Sequence, residues 1–284
     1  MSKRSFDRTH WRYLGVLFGL SVLAILVAAP RLQAQSEEEF DTYKLKLEGF
    51  WVYSNPGGTL QGAADNDKID LYRDLGFASY STFAGKLDWK FTHKNHLYVV
   101  GAAFNSSHQA ALSRTFTFQG QTFQAGAIVQ SSLDSPLYVF GYQYDVIRRK
   151  RGHLGLGVQF DLFDTHAQIR AAAQITGGGI HQAAVSASGS LLAPIPVAGP
   201  EARVYLTNSP RVFVEGNVYG MYFFGYGNFI SSAGTLGLTI NKHLTLNAGY
   251  QLGSRLVVNN SSSANRIGLT LHQHGPMAGL EVSF

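Results

Sequence analysis

The chain has 284 residues, no cysteine, 14% charged and 13% aromatic residues, with 23 Lys and Arg against 18 Asp and Glu. Without cysteine there is neither a disulfide framework nor a thiol for a lipid anchor, so an exported form has to be held by its fold alone. The basic excess does not point to nucleic acid, because it is concentrated in the first 34 residues.

Met1 to Ala34 reads as a secretory signal of the general export pathway. Lys3, Arg4, Arg8 and Arg12 form a basic start, an apolar run extends from Leu14 to Ala29, and cleavage is expected after Ala34. A retained anchor needs roughly 20 apolar residues, more than this run supplies. The segment removes five of the 23 basic residues and one of the 18 acidic ones, leaving 18 against 17. Residues 35–41 are expected as a short periplasmic segment and 42–284 as the folded domain. The remaining basic block, Arg148-Arg149-Lys150-Arg151, is assigned to a turn.

From residue 42 onward the chain alternates with a period of two, in segments of about ten residues. In chain order, Tyr43, Leu45, Leu47, Gly49, Trp51 and Tyr53 oppose Lys44, Lys46 and Glu48. Phe83, Gly85, Leu87, Trp89 and Phe91 then oppose Lys86, Asp88 and Lys90. Tyr138, Phe140, Tyr142 and Tyr144 face away from Gln143 and Asp145, and Leu154, Leu156, Val158, Phe160 and Leu162 from Gln159 and Asp161. Pro200, Ala202, Val204 and Leu206 oppose Glu201 and Arg203. Leu244, Leu246, Ala248, Tyr250 and Leu252 oppose Thr245, Asn247 and Gln251, and Ala278, Leu280, Val282 and Phe284 oppose Glu281. The apolar parity of all seven segments is free of charge, as a lipid-facing strand requires, since a Lys or Arg there costs about 2–4 kcal/mol at the midplane. A soluble sandwich would also alternate, but its aromatics would not gather near the ends of the apolar faces as an interfacial girdle does.

Short connectors at 92–95, 148–152, 207–210 and 241–243 alternate with long polar stretches at 54–80, 105–135 and 164–192 and shorter ones at 225–228 and 253–265. This pattern predicts an all-β, antiparallel transmembrane β-barrel with short periplasmic turns and long outer loops. The strands fall at 42–53, 81–91, 96–104, 136–147, 153–163, 195–206, 211–223, 230–240, 244–253 and 270–284. That makes ten, with eight and twelve as alternative counts because neither parity is clean at 96–104 or 212–223. Residues 115–130 also alternate, through Phe116 and Phe118, and read as a strand extension beyond the membrane.

The end of the chain, Gly279-Leu280-Glu281-Val282-Ser283-Phe284, resembles the terminal strand by which Gram-negative outer-membrane barrels are recognised for assembly. The resemblance assigns that signal to Gly279, Val282 and Phe284, although Met277 stands where a polar residue is usual. Ile69-Asp70-Leu71 with Asp74-Leu75-Gly76, and Leu192-Ala193-Pro194-Ile195-Pro196, resemble a family of outer-membrane barrels without a settled activity. Two enzyme families offer alternatives. Omptin proteases are ten-stranded and pair two rim acids with an Asp-His couple, for which Asp65, Asp67, Asp164 and His166 are the candidates. Lipid A deacylases set a His and a Ser on lipid-facing strands, for which His272 and His274 are candidates beside Ser231 and Ser232.

The opposite parity defines a lumen lined by Lys44, Lys46, Glu48, Lys86, Asp88, Lys90, Asp145, Asp161, Glu201, Arg203, Glu215 and Glu281. Side chains fill most of a barrel of this strand number, so this lining reads as a network of ion pairs that closes the interior. Gly152, Gly155 and Gly157 lack the helix that a dinucleotide fingerprint needs, and no metal spacing or cofactor motif occurs. The expectation is a non-enzymatic envelope barrel, either a structural or interaction protein or a narrow channel, with an outer-membrane hydrolase as the alternative. Its expected partners are outer-membrane lipid and lipopolysaccharide, the barrel-assembly machinery and periplasmic chaperones.

Overall fold

The computed structural model describes residue 40 and residues 42–284, except 64, 173, 177–178, 183, 209–210, 224–226 and 259–265. The signal-segment assignment and most of residues 35–41 lie outside the described residues. Ten long strands alternate in the way the sequence dictates: β1 (Leu45–Gly62), β2 (Tyr80–Lys90), β3 (Asn95–Ala111), β4 (Ile128–Arg149), β5 (Gly152–Ala171), β6 (Val185–Tyr205), β7 (Arg211–Phe223), β8 (Gly227–Thr239), β9 (Leu244–Val258) and β10 (Ile267–Ser283). Each pairs antiparallel with its chain neighbours, and β10 pairs back onto β1 from Lys46 with Ser283 to Gly62 with Ile267. The result is a closed ten-stranded barrel. Closure leaves no free sheet edge at that junction, and the last residue completes it: Phe284 N donates to Leu45 O at 2.8 Å, and its own carbonyl accepts from Lys44 N at 2.7 Å.

The outward side chains are those of the apolar parity. Trp51, Tyr53, Phe83, Trp89, Tyr138, Phe140, Tyr144, Leu156, Val158, Leu236 and Phe284 are all exposed on the exterior. Tyr43 is the exception. It precedes β1 and turns inward, where its hydroxyl donates to Asp88 Oδ2 at 3.1 Å, so it belongs to the lumen and not to the aromatic girdle. Lys44 moves the opposite way and is exposed, because β1 begins only at Leu45 and Lys44 is not yet held to the strand parity.

The long connections are mostly strand. β4, β5 and β6 have 22, 20 and 21 residues, where about ten suffice to cross a bilayer. Ten surplus residues at about 3.3 Å each, tilted about 40°, raise this part of the wall roughly 25 Å beyond the hydrocarbon layer. Two small devices fold into the mouth of this tall end. Residues 116–118 and 121–123 form a hairpin whose turn residues, Gln119 and Gly120, both have positive φ, at 52° and 71°; this is the twist a two-residue hairpin needs. Residues 69–70 pair with β1, and a helical turn follows, closed by Asp74 N donating to Asp70 O at 3.0 Å and ended by Gly76 at φ 73°.

Candidate functional site

The lumen divides into two chemically different halves. At the short-turn end it is charged. His96, the first inward residue of β3, lies between two carboxylates, with Nδ1 3.2 Å from Asp88 Oδ1 and Nε2 3.1 Å from Asp145 Oδ2. Asp145 also accepts from Arg148 Nη1 at 2.7 Å. Across the lumen, Arg203 bridges Glu215 at 2.5 Å through Nε and Glu281 at 3.0 Å through Nη2, with its guanidinium 4.2 Å from the centroid of the Phe213 ring. Lys46 joins Glu48 at 3.0 Å and Glu281 at 3.8 Å, and Lys86 lies 3.7 Å from Glu48. Lys90 sits over the Tyr43 ring at 4.1 Å. Charges of both signs are thus matched at close range, as burial in a low-dielectric interior demands.

Midway, Tyr98 donates to Gln159 Oε1 at 2.7 Å and Gln159 donates to Asp161 Oδ1 at 2.8 Å, with the Tyr219 hydroxyl 3.5 Å from that of Tyr98. Beside this layer is a cavity of about 130 Å3 lined by Glu48, Phe50, Lys86, Glu215, Asn217 and Asn247, among others. Asn247 Oδ1, buried and without a protein hydrogen-bond partner, adds an acceptor there. At about 30 Å3 per molecule the space suits a few waters, not a solute of metabolite size.

The tall end is apolar. Leu60, Ile69, Leu71, Leu75, Phe77, Phe104, Phe116, Phe118 and Phe123 share one buried cluster with Leu133, Ile169, Leu191, Ile195, Phe229 and Leu269. The hairpin supplies three of these phenylalanines, and the Asp70–Gly76 turn directs Leu71 and Leu75 downward. Acidic side chains hold both devices. Asp65 accepts from Gln119 N at 2.5 Å and from Gly120 N at 3.3 Å, and Asp67 accepts from Thr117 N at 2.7 Å. Asp70 caps its turn by accepting from Tyr72 N and Arg73 N at 3.1 and 2.9 Å. Arg114 donates to Asp74 Oδ2 at 2.7 Å, tying hairpin to turn.

Burial alone would raise the Asp74 carboxyl, but the hydrogen bonds from Arg114 and the Asp70 backbone outweigh it and hold the group below its ordinary value. Because the folded value is the lower one, this contact stabilises the apex fully above the unfolded carboxylate range and is lost as pH falls through the folded value. Protection of the amides of residues 116–123, relative to their intrinsic exchange rates at each pH, is therefore expected to fall below about pH 4, near the ordinary Asp value. Asp74→Asn should remove that dependence; an unchanged acid response in the variant would count against the link.

The candidate hydrolytic groups are not brought together. Asp65 and Asp67 are engaged with the hairpin backbone, whereas Asp164 and His166, 3.2 Å apart, lie on the outward parity of β5 and are largely exposed. Among the described residues no contact joins this couple to Asp65 or Asp67, whose carboxylates are taken up by the hairpin backbone. His272 and His274 also point outward. His274 Nδ1 is 3.0 Å from the Tyr250 hydroxyl, and His272 lies beside Arg255 on β9. Among the described residues neither is hydrogen-bonded to a serine. The assembly-signal residues lie on β10 and at its end. A Cβ at Gly279 would meet the Phe50 ring at 2.5 Å, which is why this position takes glycine.

Sequence reading missed His96 and the apolar core. His96 stands at the start of a strand whose parity is not clean in the sequence, and its two carboxylate partners come from the neighbouring strands, so its role was not legible. The core carried none that a membrane pattern would detect, because many of its residues lie above the lipid, where the outward parity becomes polar.

No protein-family profile and no curated protein sequence matches the chain. Among solved structures, it is similar to the outer membrane protease OmpT of Escherichia coli, at 10% identity and a TM-score of 0.45, covering 87% of this chain and 100% of that one. It is also similar to the transport unit of the autotransporter AIDA-I of Escherichia coli, at 10% and 0.42 over 93% and 97% of the two chains. The translocator domain of the autotransporter NalP of Neisseria meningitidis matches at 12% and 0.39 over 97% and 98%. No activity is carried over at such distances. What the chain's own geometry supplies is a closed, even-numbered antiparallel barrel whose exterior carries an uncharged apolar band, the architecture of a transmembrane β-barrel.

Proposed function

We propose that this chain is a non-catalytic barrel of the outer membrane whose lumen is closed along its axis. One observation carries the reading: apart from one small polar cavity, the interior is filled by ion pairs in one half and by apolar side chains in the other. The apolar half matters most, because a wet ion-pair network can pass small ions, whereas a close-packed hydrophobic layer does not. The short turns face the periplasm, and the tall end with its Asp-clamped hairpin faces outward. Membrane lipid is the partner of the exterior, and the assembly machinery meets the terminal strand through Phe284.

Purified protein inserted into a planar bilayer is expected to give no steady unitary current. A stable ohmic current would overturn axial closure. The hydrolase alternative is tested by Asp164→Asn with His166→Asn, and by His272→Asn with His274→Asn. Unchanged lipid A acylation and unchanged peptide cleavage are the expected results, since neither set is assembled.

A further inference from the structure

The short connections carry charge of one sign. They run 91–94, 150–151, 206–210 and 240–243, two to five residues each. In them, at the strand ends beside them and just ahead of β1, the sequence places seven Lys and Arg, at 44, 94, 149–151, 211 and 242. The acids at the same ends of the strands, Asp88, Asp145, Glu215 and Glu281, point into the lumen and are engaged there by His96, Arg148 and Arg203. Glu37, Glu38, Glu39 and Asp41 lie outside the described residues. Seven cations against those four acids leave an excess of three wherever the four sit. The tall end has no such bias, since Asp134 and Asp164 share its outer surface with Arg170 and Arg255.

These cations lie level with lipid headgroups. Phe91, Ile147, Ile240 and Phe284 are exposed apolar residues at the lower limit of the outward band. Lys94, Arg149 and Lys242 follow the first three within three residues, and the carbonyl of Phe284 accepts from Lys44 N. Connections this short cannot carry their side chains far from the bilayer. Lys94 shows the direction taken: its ammonium lies 6.0 Å from the centroid of the ring of Tyr144, an outward aromatic residue. Lys44, Arg149, Arg151 and Lys242 are exposed, and they come from different parts of the barrel circumference. Arg211 belongs instead to the mouth, where it donates to Phe40 O at 3.3 Å.

We infer that the short-turn rim is a cationic collar that recruits anionic phospholipid, with Lys44, Lys94, Arg149, Arg151 and Lys242 contacting headgroup phosphates. A ring that follows the circumference at headgroup depth fits an annulus of lipid, whereas a soluble acidic protein would need its cations gathered on one side. Long basic side chains are suited to this position, because their stems lie along apolar surface while the charge reaches the phosphate layer. The inference rests on the reading that lipid covers the exterior and adds the headgroup class; it is independent of axial closure.

The test uses full-length protein in vesicles mixing phosphatidylethanolamine with phosphatidylglycerol, one or the other carrying brominated acyl chains that quench tryptophan. With Trp11→Phe and Trp51→Phe, Trp89 is the remaining tryptophan. It pairs with Leu45, next to Lys44, and with Leu97, three residues from Lys94. Phosphatidylglycerol is expected to be preferred at Trp89 by at least about fivefold, the factor that one interfacial cation supplies. The preference should fall towards one in 1 M salt. It should also fall in the variant Lys44→Gln, Lys94→Gln, Arg149→Gln, Lys242→Gln. If that variant fails to fold, judged by heat-modified gel mobility, Lys44→Gln with Lys94→Gln replaces it. Trp51, kept alone by Trp11→Phe with Trp89→Phe, is six residues further along β1 than the partner of Trp89. That is roughly 15 Å higher at about 3.3 Å per residue and 40° of tilt, in the opposite leaflet, so its preference should be weaker. Equal quenching of Trp89 by the two lipids, a preference unchanged in the variant, or an equal preference at Trp51 would each overturn the collar while leaving the lipid-covered exterior intact. Quenching by neither lipid would overturn both.

Discussion

Arg203→Met is expected to cost the folded barrel about 3–5 kcal/mol, the magnitude for breaking one partner out of a buried ion-pair network. Arg203 is 2% exposed and is the shared cation of Glu215 and Glu281, which β7 and β10 bring to it from either side. Methionine keeps much of the volume and the contact with Phe213 but leaves two carboxylates facing each other without their common charge. The carboxylates must then take up protons or draw water inward, and either response loosens the closing junction, because Glu281 sits on the strand that pairs with β1. The readout is the denaturant midpoint in detergent or lipid, followed by the gel shift between folded and unfolded forms. The triple variant Arg203→Met, Glu215→Gln, Glu281→Gln is expected to regain most of the loss, since replacing a whole buried ionic group is often close to neutral. A single variant as stable as the parent protein would show that the network does not hold the barrel.

Phe118→Ala should also cost about 3–5 kcal/mol, the usual penalty for emptying a buried Phe site, but the loss should be local. Phe118 is fully buried among the apolar residues of the tall end, on a hairpin that reaches the rest of the molecule through side chains and a few carboxylate contacts. The membrane band below has its own ladders and its own lipid-facing surface, so it can remain folded while the apex opens. Hydrogen exchange is expected to lose protection at residues 112–129 and keep it in β2 and β9. Asp65→Ala should act in the same direction with a smaller effect, about 1–3 kcal/mol for backbone donors left unpaired. Loss of protection spread evenly over all ten strands would mean that apex and band form a single cooperative unit.

Strand identity and the division of faces were legible because both follow from local chemistry. A strand with lipid on one side and a charged interior on the other has to alternate, and the positions from Leu45 to Tyr53 or from Leu154 to Leu162 carry that constraint in every residue. Parity blurs on β3 and β7 for a physical reason: Tyr98, Phe104, Phe213 and Tyr219 are lumen residues that are themselves aromatic, so both faces look apolar. The true strand lengths were hidden for a related reason. Above the lipid the outward side becomes polar, as at Asp134, Asp164 and His166, while the inward side becomes apolar. The segments 54–62, 105–111, 128–135 and 164–171 then read as polar loop.

By itself, the sequence determined the exterior. One residue in two along each crossing must tolerate lipid, and no tertiary partner can relieve a charge placed there. Only the tertiary structure decided the interior. Which carboxylate meets which cation, as in Asp88 with His96 or Glu281 with Arg203, depends on inter-strand register and on closure of β10 against β1, and neither is encoded within one strand. The same holds for the apolar plug, whose residues come from β1, β3 to β10, the 69–77 segment and the inward hairpin. Each is unremarkable alone, and they become a core only when a closed wall brings them within contact distance and excludes water.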